Sequence, residues 1–139
     1  MKHILCAYDG SEQAEKAFEL ALDFAHKYKA ALTVLAVARP PEPSEDIETE
    51  ATLEAANQRY KHFFHQLKQK ANKVHSALEL HFKIAVGHPA EQIVHEAEQL
   101  AADHIVLGHR GQTIFNRWLL GSVAKQVMIY AHCAITVVR

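Results

Sequence analysis

A chain of 139 residues suits one domain built around one core. Its hydrophobic fraction of 49% and charged fraction of 22% are ordinary for a globular protein, which argues against disorder and against membrane residence. With 15 Lys and Arg against 16 Asp and Glu, the formal charge of -1 provides no broad attractive field for a nucleic-acid backbone or an anionic bilayer, so specificity must come from a local site.

The first element is the short apolar run His3-Ile4-Leu5-Cys6-Ala7-Tyr8, as expected of a strand buried on both faces. Broken at Asp9, it is too short for a signal-peptide core or a spanning helix, and a cytoplasmic location is expected. Asp9-Gly10-Ser11 reads as a turn with a helix N-cap. Ala14, Ala17, Phe18, Ala21, Leu22, Ala25 and Tyr28 then recur at three- and four-residue steps, with Glu12 and Glu15 in the first turn, where the helix dipole favours acids. Ala31 to Ala38 is a second buried strand. Pro40, Pro41 and Pro43 interrupt regular structure ahead of Glu42, Glu45, Asp46, Glu48 and Glu50, which predicts a mobile loop.

A long second helix is expected from about Glu48, with Ala56, Tyr60, Phe63, Leu67, Ala71 and Val74 on its apolar face. Leu78, Leu80, Phe82, Ile84 and Val86 alternate, the pattern of a half-exposed edge strand, and Gly87 ends it. Pro89 opens a third helix carrying Ile93, Val94, Ala97 and Leu100. His104 to Leu107 is a compact buried strand. A glycine-bounded loop, a last helix with Val123, Val127 and Tyr130, and a terminal strand from Ala134 to Val138 complete the chain. The order β-α-β-α-β-α-β-α-β predicts a parallel sheet with right-handed crossovers and helices on both faces, residues 1–139 forming one domain. Cys6 and Cys133 each fall in a stretch that reads as a buried strand, where a thiol acts as a small hydrophobe rather than half of a disulfide.

Chemistry concentrates after the fourth strand. Gly108-His109-Arg110-Gly111, followed nine residues later by Gly121-Ser122, sets three glycines around a strand-to-helix junction. Glycine permits positive φ and close backbone approach, so consecutive amides can gather into a nest for anionic oxygens, and phosphate suits it. Gly121-Ser122 stands where the last helix begins, and free N–H groups, the positive dipole end and the Ser122 hydroxyl would face the same anion. If the first and fourth strands are neighbours, Asp9 lies beside this nest. A carboxylate there is compatible with a triphosphate when a divalent cation bridges them or when it takes hydroxyl donors from a ribose. Val37 and Ala38, ending the second strand, would supply an apolar wall and backbone groups for a purine.

These residues resemble the nucleotide-binding branch of the universal stress protein family. Its fingerprint of Gly, two residues, Gly, nine residues, Gly and Ser or Thr is matched by Gly108, Gly111, Gly121 and Ser122, and the likeness extends to the opening ILCAYDGSEQAEKAFELA, the strand end LGHRG and the closing CAITVV. The resemblance implies a Rossmann-like sheet of five strands in the order 3-2-1-4-5, like that of the adenine nucleotide alpha hydrolases, a homodimer, and bound ATP with Mg²⁺. By position it implies Asp9 at the ribose or metal-phosphate region, Ala7, Tyr8 and Val37 at the adenine, and Val123 at the phosphate end, with His109 and Arg110 inside the nest loop. Two positions depart from the family pattern: Arg39, where many relatives carry an acid, and Ala134, where a proline is common.

The function expected is ATP binding coupled to a protein partner in a stress response, through ATP-dependent ordering of residues 39 to 50 and 109 to 120. The alternatives are a slow ATP hydrolase and a family member that keeps the fold without binding nucleotide. Against efficient hydrolysis stand the lack of a Walker lysine and of paired carboxylates placed to activate water. A receiver domain would need a phosphoacceptor Asp after the third strand, which the sequence does not supply. His62 and His65 have helical spacing without a matching third ligand, so a solvated surface is expected there. The terminal strand, with Ile135, Val137 and Val138, is expected to pair with a second copy at the sheet edge.

Overall fold

Alternating periods of two and 3.6 resolve into alternating strands and helices. The computed structural model describes residues 1–40, 46–109 and 120–139. Its elements are β1 (His3–Ala7), α1 (Glu12–Tyr28), β2 (Ala31–Ala38), α2 (Asp46–Val74), β3 (Leu80–Val86), α3 (Pro89–Gln99), β4 (His104–Gly108), α4 (Ser122–Tyr130) and β5 (Ala134–Val138). The sheet runs β3-β2-β1-β4-β5, and its strand pairings are parallel, as predicted. From central β1 the chain winds outward to β2 and β3, then returns to the other side of β1 for β4 and β5. The reversal falls between β1 and β4, registered by Ile4 opposite His104 and Cys6 opposite Val106.

Side chains alternate across a strand, so the two faces carry separate cores. Ile4 and Cys6 of β1 join Leu32, Val34 and Ala36 of β2 against α1 and α2, where Phe18, Ala21, Phe64 and Leu67 close the layer. On the opposite face Leu5, Leu35 and Ile105 pack against Ala90, Ile93 and Ala97 of α3 and Ala124 and Val127 of α4. The turn into α1 is set by Ser11, in extended conformation, whose hydroxyl accepts the Ala14 amide at 3.1 Å. At edge strand β3, Lys83 reaches across to α3 and donates to Glu96 at 2.7 Å, satisfying a carboxylate that is only 5% exposed.

Several boundaries differ from the sequence reading. Tyr28, Val74 and Tyr130, expected on apolar faces, are exposed; each is the last residue of its helix. For α2 the cause is length: at 1.5 Å per residue its 29 residues overrun strands of five to eight, and its last turn has no sheet beneath it. Strand β3 begins at Leu80 rather than Leu78, because the Leu78 amide bonds the His75 carbonyl in the turn that follows α2. Asp46, Glu48 and Glu50, read as part of the loop, fall in α2 instead, and the rest of that prediction, at residues 41–45, lies outside the described residues. Cys6 is buried in β1, but Cys133 is half-buried just before β5, and the two belong to cores on opposite faces of the sheet.

Candidate functional site

Parallel strands end along one edge of a sheet, and a crevice opens there where the winding reverses. In this chain the crevice is a cavity of about 910 Å³. From β1 and the turn after it come Ala7, Tyr8 and Asp9; from β2, Val37 and Ala38; from the end of β4, Gly108 and His109; and from the start of α4, Gly121, Ser122 and Val123. The cavity thus brings together the described residues that the sequence singles out for a site. Arg110 and Gly111, and with them part of the glycine loop, lie outside the described residues.

The turn after β1 holds its carboxylate by a local bond. Asp9 Oδ1 accepts the Ser11 amide at 2.9 Å, and Gly10 takes φ 85°, a left-handed conformation that glycine adopts without steric cost. Tyr8 is buried, with its hydroxyl donating to the Glu15 carboxylate and its ring edge-on to Phe63 at 5.8 Å. Burial first, and then the Glu15 hydrogen bond, push the phenol well above the usual tyrosine range. Tyr8 is therefore a neutral wall of the cavity and not an acid or base near pH 7. Burial, and then the charge of Glu15, push the Cys6 thiol up in the same way, so it carries no nucleophilic thiolate.

At the opposite wall α4 begins with Gly121 as its N-cap, at φ -60° and ψ 152°. Two expectations change here. The Gly121 N–H, expected to be free, donates to the His109 carbonyl at 2.9 Å and ties the helix start to the end of β4. Positive φ, expected of the glycine nest, occurs among the described glycines at Gly10 and Gly87 instead. The glycines at 108 and 121 therefore do not use the left-handed freedom of glycine. Ser122, Val123 and Ala124 are the first three residues of α4, the positions whose amides have no partner within a helix, and among the described residues no side chain caps this end. All three residues line the cavity, so the positive end of α4 opens into it.

Sequence reasoning missed the contribution of α2. Thr52, Ala55, Ala56, Arg59 and Tyr60 line the cavity from one side. Their steps of three, four, seven and eight residues place them on one helix face, a spacing legible in the sequence but masked by the larger apolar stripe. Arg39, just after β2, also lines the cavity. His62 and His65 are exposed on α2, with His65 hydrogen-bonded to Gln69 at 3.2 Å. Among the described residues no group of three or more His, Cys, Asp or Glu could hold a metal ion, and no helix is long and apolar enough to cross a membrane.

Comparison with known proteins covers the whole chain. The model of the universal stress protein family matches residues 1–139. Universal stress protein MJ0531 of Methanocaldococcus jannaschii is 31% identical over 140 aligned residues, spanning 99% of this chain and 82% of that protein. The structure of universal stress protein UspA from Lactobacillus plantarum superposes with a TM-score of 0.92 at 31% identity, covering 99% of this chain and 97% of that one. A universal stress protein solved in complex with cAMP superposes with a TM-score of 0.66 at 25% identity, over 99% and 96% of the two chains. By sequence along its full length and by strand order, this chain belongs to the universal stress protein family.

Proposed function

We propose that this protein binds an adenine nucleotide, ATP with Mg²⁺, in the cavity at the carboxyl ends of β1, β2 and β4, and that the bound state is read by a protein partner in a stress response. The observation that carries this reading is the opening of the α4 amides of Ser122, Val123 and Ala124 into a cavity that also holds Asp9 and the end of β2. The amides and helix dipole, with the Ser122 hydroxyl, meet the phosphates, and the glycines at 108 and 121 keep that approach clear. The purine lies against Ala7, Tyr8, Val37 and Ala38, and Asp9 accepts the ribose hydroxyls. Mg²⁺ would come with the triphosphate and be held mainly by its oxygens and water, as is common where a protein offers no full cage, leaving Asp9 to the ribose. The family relative bound to cAMP supports an adenine nucleotide as the ligand class.

The partner reads differential ordering: ATP favours one arrangement of the segments that border the cavity, by no more than its difference in affinity for the two states. The exposed edge of β5 suits pairing with a second copy in a homodimer, since an open edge leaves backbone groups unpaired and two-fold pairing closes it. The location proposed is the cytoplasm. The test is the ligand that accompanies the purified protein. Excess absorbance near ~260 nm, released on denaturation and identified as an adenine nucleotide, supports the reading. A nucleotide-free protein that takes up no ATP on titration overturns it.

A further inference from the structure

The cavity has a second cationic wall that the nucleotide reading leaves unused. Arg39 follows β2 and Arg59 stands on α2, and both line the cavity on the side away from α4. No carboxylate among the described residues forms an ion pair with either guanidinium. The contact recorded for Arg59 is a cation–π approach to the ring of its own neighbour, Tyr60, at 5.2 Å. Guanidinium groups that line a crevice and have no acidic partner among the described residues suit a doubly charged oxyanion such as a phosphate monoester, two of whose oxygens they can grip through paired N–H donors.

The sheet sets the distance between the two cationic walls. Strand β1 separates β2 from β4, so their ends stand two strand spacings, about 10 Å, apart. That spacing leaves room for one anion at the α4 amides and another at the arginines. They can belong to one nucleotide, with the 5′-phosphates at α4, the ribose over Asp9 at the end of the central strand, and a further phosphate on the 2′ or 3′ oxygen pointing towards α2. The ribose hydroxyl that carries no phosphate remains a donor for Asp9. The cavity volume of about 910 Å³ leaves room for this larger ligand, lying near the upper end of the ~300–1,000 Å³ usual for small-molecule sites.

From this arrangement we infer that the cavity selects adenine nucleotides phosphorylated on the ribose 2′ or 3′ oxygen in addition to the 5′ position, with Arg39 and Arg59 as the residues that set the preference. The inference rests on the nucleotide reading of the same cavity and adds the ligand class. Calorimetric titration with adenosine, 5′-AMP, adenosine 3′,5′-bisphosphate and adenosine 2′,5′-bisphosphate tests it, on the natural protein and on the Arg39→Gln/Arg59→Gln double variant. One of the two bisphosphates binds the natural protein about 10-fold or more tightly than 5′-AMP, and in the double variant that preference falls to within about 2-fold while 5′-AMP binding is retained. If 5′-AMP binds and neither bisphosphate gains over it, or if the gain survives the double substitution, this inference fails and the nucleotide reading stands. If the substitutions weaken adenosine as much as the bisphosphate, the arginines stack on the base and the inference is overturned. If none of the four ligands binds, both readings fall together.

Discussion

Proline at position 122 removes one proposed phosphate ligand while leaving the helix intact. Ser122 is the first residue of α4, and Gly121 before it adopts φ -60°, ψ 152°. Proline is favoured at the first helical position, where its missing N–H has no intrahelical partner to lose, and an extended preceding residue avoids the clash with its ring. Ser122→Pro should therefore fold with a stability within about 1 kcal/mol of the natural protein. It deletes both the amide and the hydroxyl offered to phosphate. A hydrogen bond to a charged group contributes about 1.5–3 kcal/mol, so loss of the amide alone weakens ATP by about 10- to 150-fold. Ser122→Ala keeps the amide and removes only the hydroxyl, so its loss should be the smaller of the two. Calorimetric ATP titration, with urea unfolding as the control for stability, separates the two. If Ser122→Pro is folded and binds ATP as well as Ser122→Ala does, the amide at the start of α4 does not hold phosphate and the argument is refuted.

Further substitutions probe the cavity and the scaffold separately. Asp9→Asn keeps an acceptor for the Ser11 amide and should weaken ATP by about 10-fold, equally with and without Mg²⁺, in a titration at fixed ionic strength; a loss confined to the Mg²⁺ complex would move Asp9 from the ribose to the metal. Lys83→Met leaves the buried Glu96 carboxylate without its partner. Because Lys83 is half exposed and water screens the pair, the cost in urea unfolding should be about 1–2 kcal/mol, and an unchanged midpoint would contradict it. His104 bonds Thr136 at 2.6 Å and is partly buried, and that burial, opposed by nearby Asp103, holds its pKa below the ordinary 6.5. The unfolded chain then takes up this proton more readily, so the stabilising contribution is complete above pH 6.5 and is lost as pH falls through the lower folded value. His104→Gln should flatten the stability profile in that window, and an unaltered slope would rule the effect out.

The sheet was legible because its signals are local. β1, β2 and β4 are short apolar runs that only a doubly covered strand accommodates, while β3 shows alternation because it is an edge. The turn residues Ser11 and Pro89 marked two helix starts for reasons that act within one turn. What escaped was set by tertiary geometry. The exposure of Tyr28, Val74 and Tyr130 depends on what packs over the last turn of each helix, and a helical period carries no record of that. The bond from Gly121 to His109 depends on how the connection after β4 closes, so a residue read as an open donor is already engaged. That Arg59 and Arg39 line one cavity depends on how α2 packs against the end of β2, and nothing along the chain links the two residues.

The most direct test of the central claim is an amide proton–nitrogen NMR spectrum recorded with and without Mg²⁺-ATP. Binding in this cavity predicts the largest shifts at the amides of Ser122, Val123 and Ala124, with smaller ones at Asp9 and Val37 and little change along β3. Shifts that are absent at saturating nucleotide, or that cluster away from the start of α4, would contradict it.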